Sequence, residues 1–193
     1  LTAWTEQHWP GAERTHVWSA QDYESPHRVP FVGWMPRTRR RVMLATGYDK
    51  WGMTNAAQAA LALSAELLGH RLLWAETLHR RPTLPRALAE GIGANAAVGW
   101  WYARSWARML ATTIPDRPPV EGSGVAGHDG AALAAVSTVE GRTCRVSPLC
   151  THLGAAVTWN DLERSWDCPA HGSRFAPDGA LLEGPATREL PRR

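Results

Sequence analysis

Between residues 150 and 171 the chain sets two short motifs, Cys150-Thr151-His152 and Cys168-Pro169-Ala170-His171. They use two of its three cysteines and read C-x-H and C-x-x-H, separated by the 15 residues 153–167. Each motif offers one thiolate and one imidazole. A two-iron, two-sulfide cluster with two thiolates on one iron and two imidazoles on the other requires this order, because each loop then supplies one ligand to each iron. Zinc is the rival, since two cysteines and two histidines also make a tetrahedral site. Zinc pairs, however, usually come like with like, as C-x-x-C and H-x-x-x-H, whereas both pairs here are mixed. The pattern favours Cys150, His152, Cys168 and His171 as ligands of a [2Fe-2S] cluster. Gly154 and Gly172 follow the two motifs and are expected to let backbone amides approach the sulfides.

The chain upstream has a different texture. Residues 1–36 carry Pro10, Pro26, Pro30 and Pro36 among many Trp and His residues, which predicts short extended pieces joined by turns. Arg41 to Thr46 has strand length, and after Gly47 and Gly52 the alanine-rich stretch Ala56 to Leu68 predicts a helix. Thr54 or Asn55 is its expected cap and Gly69 its stop. A second helix is expected over Pro85 to Ala111. The prolines and glycines of residues 114–130 then predict a linker, and a domain boundary is placed between residues 113 and 114. Beyond it, the short runs Ala131 to Val136 and Arg142 to Val146, with turn signals at Val139 to Gly141, Trp159 to Asp161 and Pro177 to Gly179, predict a small antiparallel β domain.

Composition narrows the function classes. Hydrophobic residues make up 44% and charged residues 20%, values of a chain that folds. Formal charge is only +3 at a pI of about 9.1, which gives no reason to expect a nucleic-acid partner; the cluster Arg37, Arg39, Arg40 and Arg41 reads as a solvated turn. The longest uncharged stretch, Gly91 to Ala103, is shorter than the roughly 18 residues of a membrane span, so none is expected. An odd, sparse set of cysteines points to a reducing compartment, the cytoplasm. Cys144 reads as a small core residue. The first residue is Leu1 rather than Met, from which a fragment of a longer protein is expected.

Gly122-Ser123-Gly124-Val125-Ala126-Gly127 matches G-x-G-x-x-G, the dinucleotide fingerprint, yet that motif works only between a strand and a helix that receives the pyrophosphate. Here Pro118 and Pro119 precede it and a β-like run follows. It is rejected. His8, His16 and His27 have no ligand spacing, and Trp100, Trp101 and Trp106 read as a packing stripe.

Residues 120–193 resemble a Rieske ferredoxin domain through SPLCTHLG, DCPAHGSRF and LLEGPAT, where Gly184-Pro185 is similar to the family's proline loop over the cluster. The resemblance implies an electron carrier. Ala155 and Ala170 occupy the places of the disulfide found in respiratory and photosynthetic members, so the loops are expected to be held by packing alone. Ser173 matches a serine that donates to cluster sulfur, whereas Phe175 replaces a donating tyrosine. Losing that donor implies a potential in the lower half of the family's range of roughly −150 to +300 mV.

The stretches Trp18 to Gly33 and Arg40 to Gly69 resemble the C-terminal end of FAD-dependent oxidoreductases of the D-amino-acid oxidase and glycine oxidase type, some of which carry a Rieske domain in this order. The resemblance implies that Gly52, Met53 and Thr54 form flavin-facing backbone at a helix N-terminus, with Lys50 as a charged neighbour. The N-terminal glycine fingerprint of such enzymes is not in this chain. The expected fold class is therefore α+β: a remnant of an FAD-dependent oxidoreductase over residues 1–113 and a Rieske domain over residues 114–193. The expected partner is a redox protein or a flavin domain, and the expected cofactors are a [2Fe-2S] cluster and FAD. The alternative is a stand-alone ferredoxin-like carrier. A Rieske oxygenase subunit is set aside because no histidine follows His171 to help bind mononuclear iron.

Overall fold

The structure, a computed structural model, describes residues 2–79, 84–130 and 132–193. The elements are α1 (Thr2–His8), β1 (Phe31–Trp34), β2 (Met43–Thr46), α2 (Gly52–Leu67), α3 (Leu73–His79), α4 (Pro85–Ala111), β3 (Ser123–Asp129), β4 (Ala132–Val139), β5 (Arg142–Val146), β6 (Thr158–Asn160), β7 (Ser165–Asp167), β8 (Arg174–Phe175) and β9 (Leu181–Glu183). Two compact units result, one of residues 21–98 and one of residues 1–20 with 99–193. This grouping differs from a cut after residue 113, because residues 99–111 of α4 go with the chain that follows them, Tyr102 and Trp106 bonding to the Leu153 and Gly154 carbonyls. Among the described residues, no helix is long and apolar enough to cross a membrane.

In the 21–98 unit, β1 and β2 pair antiparallel from Phe31 opposite Thr46 to Trp34 opposite Met43. The turn between them carries the arginines, with Arg37, Arg39 and Arg40 at φ of 65°, 52° and 57°. Glu66 accepts from Arg40 at 2.6 Å and from Trp34 Nε1 at 2.7 Å. Ala59 and Ala62 of α2 pack on Val32, and their small side chains let the helix lie close to the strand. The helix begins earlier than expected. Trp51 precedes it without a side-chain cap, so Thr54 and Asn55 lie inside the first turn, where Asn55 Nδ2 reaches back to the Tyr48 carbonyl at 3.3 Å. Gly69 does stop it, at φ 75°.

Two short helices were not legible. α1 lies in a stretch expected to be extended; within it the Trp4 and His8 rings stack at 4.4 Å, one helical turn apart. α3 abuts β1 so closely that a Cβ on Gly33 would meet His79 Nδ1 at 2.4 Å.

α4 has its expected limits, Pro85–Ala111, and its residues 99–111 belong to the other unit. β3, β4 and β5 form one antiparallel sheet and β6 to β9 a second. β3 corrects the expected linker: Ser123 to Asp129 pair with Thr138 to Ala132. Its glycines answer to packing rather than to flexibility, because a Cβ would meet the Trp159 ring at 2.6 Å from Gly124 and the Thr112 carbonyl oxygen at 2.2 Å from Gly127. The 139–141 turn is tied by Glu121, whose carboxylate accepts from the amides of Glu140 and Gly141 at 2.7 and 3.0 Å. Trp166, Phe175, Leu190, Val146 and Val157 are fully buried, and the Trp159 ring meets Trp166 edge-on at 4.8 Å. These core residues bracket two loops, the first between β5 and β6 and the second between β7 and β8.

Candidate metal centre

The two loops share one hydrogen-bond design. Cys150 N–H donates to the Ala155 carbonyl at 2.9 Å and Cys168 N–H to the Ser173 carbonyl at 2.8 Å, in each case five residues on. Gly154 N–H returns to the Cys150 carbonyl at 2.9 Å, and Gly172 N–H to that of Cys168 at 3.0 Å. Both glycines are left-handed, at φ 76° and 79°, a conformation costly for other residues. Their own amides are taken by the cysteine carbonyls, and the left-handed turn is what calls for glycine at both positions.

The loops bring the four ligand candidates together and sort them by element. Cys150 and Cys168 are each 3% exposed, and their thiols are near enough for each to shift the other's titration. His152 and His171 are exposed, with ring centroids 5.0 Å apart and planes at 80°. Among the described residues, no three His, Cys, Asp or Glu side chains are placed to hold a single ion. The arrangement is a sulfur pair inside and a nitrogen pair outside, and that donor set fits a two-iron cluster with unlike irons.

The hydrogen bond from Cys168, against the cost of burial, draws Cys150 down to about 6, with the His152 amide and the Ser173 hydroxyl assisting. The same bond and burial push Cys168 up. Ser173 is fully buried; its oxygen accepts from Ala186 N–H at 2.9 Å, which leaves its proton for Cys150. Thr151 Oγ1 donates to the Arg188 carbonyl at 2.6 Å, so the segment after Gly184-Pro185 is tied to both loops. Phe175, fully buried opposite Trp166 in the register, brings no donor.

Ala155 and Ala170 are buried, but packing is not all that holds the loops. At the base of the second, Arg174 donates to the two Asp167 oxygens at 3.0 and 3.0 Å, and Asn160 and Ser165 each add a bond at 2.8 Å. Burial pushes the Asp167 carboxyl up, yet the bonds from Arg174, Asn160 and Ser165 outweigh it and hold the group below its ordinary value. The Ser19 backbone joins this network, its carbonyl accepting from Arg174 at 3.1 Å and its amide donating to Glu163. At the first loop, Trp106 donates to the Gly154 carbonyl at 2.9 Å, with the Tyr102 hydroxyl beside it. Trp106 is thus a hydrogen-bond donor and not only a packing residue, and the four-residue spacing of Tyr102 and Trp106 is the sequence signal for the pair.

The other singled-out residues are placed as follows. Gly52, Met53 and Thr54 open α2 in the 21–98 unit, with Met53 93% exposed. Lys50 pairs with Asp22 at 3.3 Å. Cys144 sits on β5 opposite Ser137. His8 and His16 bond to Trp4 and Thr15, and His27 meets Phe31 edge-on.

Known proteins resemble this chain as follows. The Rieske [2Fe-2S] domain family matches residues 115–192. A protein of Bacillus subtilis (strain 168), described as Rieske 2Fe-2S iron-sulfur protein YhfW, is 36% identical over 180 residues, 91% of this chain and 34% of that protein. The cytochrome b6-f complex iron-sulfur subunit of Gloeobacter violaceus is 30% identical over 119 residues, 61% of this chain and 63% of that subunit. The crystal structure of the plasma membrane Rieske protein PetC3 from Synechocystis PCC 6803 is 35% identical, covering 36% of this chain and 72% of that one, at a TM-score of 0.33. The chain thus spans about a third of the length of the Bacillus relative. A Rieske [2Fe-2S] domain is present, and residues 115–192 hold both loops described above.

Proposed function

We propose that this chain is a one-electron carrier in which Cys150 and Cys168 hold one iron and His152 and His171 the other, and which docks on a separate redox protein. The observation that carries this reading is the sorting of the donors into a buried thiol pair and an exposed imidazole pair on two loops of one design. When bound, the cluster supplies one-electron oxidation and reduction. Burial of the thiols keeps water from the sulfur side. The imidazoles, with the 60% exposed Leu153 beside His152, offer the face a partner protein approaches. Ser173 steadies the Cys150 thiolate, and Phe175 adds nothing to it, which supports a midpoint in the lower half of roughly −150 to +300 mV. Reductive titration tests the reading: one electron taken up per two irons supports it, and a colourless chain holding zinc overturns it.

A second reading keeps the flavin. The match to the Bacillus relative covers 180 residues, far more than the Rieske domain, and that relative is about three times as long as the matched stretch. On this reading Gly52, Met53 and Thr54, at a helix start without a side-chain cap, face a flavin in a longer oxidoreductase acting on a small amine or amino acid. The relatives' names speak of an iron-sulfur protein or subunit and of no flavin, so the carrier reading comes first. Flavin absorbance and fluorescence after incubation with FAD separate the two: saturable binding weakened by Gly52→Val favours the second, and none favours the first.

A further inference from the structure

The carbonyls of the first ligand loop are met by side chains from a helix more than 40 residues away in sequence. Trp106 Nε1 donates to the Gly154 oxygen at 2.9 Å, and the Tyr102 hydroxyl lies 3.3 Å from the oxygens of both Leu153 and Gly154. Tyr102 and Trp106 are four residues apart in α4, so one helical face presents both donors to the same turn. That face is fixed in place: Ser105 and Met109, next to them on the helix, are 5% and 2% exposed. The turn they grip is one hydrogen bond from a ligand residue, because Gly154 N–H donates to the Cys150 carbonyl at 2.9 Å.

We infer that Tyr102 and Trp106 are positioning residues, a two-donor clamp from α4 that fixes the first ligand loop and thereby the potential and retention of the iron centre; the inference rests on the reading of the loops given above. The loop needs such a grip. Its tip, Thr151 to Leu153, is a turn outside either sheet, with His152 and Leu153 exposed, whereas the second loop is closed at its base by Asp167 and Arg174. Two donors bonded to Gly154 restrain the turn that carries His152. They also point the positive ends of their dipoles at the loop, which favours the more negative, reduced state of a centre held there.

The test uses the full iron-loaded chain with Tyr102→Phe, Trp106→Phe and the double variant, which keep a ring while removing donors. Trp100→Phe is the control, since Trp100 lies on the same helix and is 64% exposed. Two quantities are read, the midpoint potential by film voltammetry and the half-life of the visible absorbance in the presence of a chelator. Each single variant is expected to lower the midpoint and shorten the half-life about fivefold, as the loss of one hydrogen bond predicts, and the double to do more than either, with Trp100→Phe unchanged. A double variant that keeps the wild-type midpoint and half-life overturns the clamp, as does a control shifted by the same amount. If the double variant takes up no iron, Tyr102→Phe decides in its place by the same midpoint. Failure of the underlying reading shows separately, as a wild-type chain with no iron signal, and overturns the clamp with it.

Discussion

The Ser173 hydroxyl accepts from the Ala186 amide at 2.9 Å and lies near enough to the Cys150 thiol to help lower its pKa. The amide fixes the direction of the hydroxyl, and a donor aimed at a thiolate stabilises the reduced cluster more than the oxidised one. Ser173→Ala should therefore lower the midpoint by roughly 40 mV, the equivalent of about 1 kcal/mol of differential hydrogen bonding for one electron. Voltammetry of the iron-loaded variant checks this; an unchanged or raised midpoint contradicts it.

Asp167 and Arg174 are a largely buried pair, with side chains 16% and 11% exposed. Removing one charge leaves the other uncompensated, so Asp167→Asn should cost about 3 kcal/mol in urea unfolding at neutral pH. Because bonding holds the Asp167 carboxyl below its unfolded value of about 3.9, its stabilisation is complete above that pH and is lost as pH falls through the folded value. The gap between wild type and variant should thus be full at pH 7 and narrow below about pH 4. A gap that is constant with pH would assign the loss to something other than the charge.

Gly127→Ala places a methyl group 2.2 Å from the Thr112 carbonyl oxygen, a backbone atom that cannot swing aside. A loss of about 3 kcal/mol is expected, near the upper end for overpacking. Gly122→Ala loses a left-handed glycine, at φ 78°, but its added Cβ meets nothing closer than 3.9 Å, so it should cost about 1 kcal/mol. Neither variant should alter nucleotide binding, since residues 122–127 are strand and turn. Thermal melts with and without NAD check both points.

Cys144 is set apart from the two loops, opposite Ser137 in the β4 to β5 register. Cys144→Ser should retain two irons per chain by metal analysis, whereas Cys168→Ser should lose the cluster. Equal iron in the two variants would contradict the ligand assignment.

The site was legible because its chemistry is written in residue type at short spacing: Cys150, His152, Cys168 and His171 identify themselves without the fold. Helix α4 was legible for the same local reason. β3 was not, because Gly124 and Gly127 read as breakers, and their cause, Trp159 and the Thr112 carbonyl, lies elsewhere in the chain. Tyr102 and Trp106 were missed because their partners are backbone carbonyls, which carry no residue signature. The roles of Gly154 and Gly172 were legible only in part, because sequence shows that a glycine stands there but not that its φ is left-handed.

The most direct test is electron paramagnetic resonance of the dithionite-reduced chain, with iron, sulfide and zinc content measured on the same sample. The account predicts two irons and two sulfides per chain and a signal whose average g lies below that of all-cysteine clusters. An EPR-silent sample with one zinc per chain would contradict it.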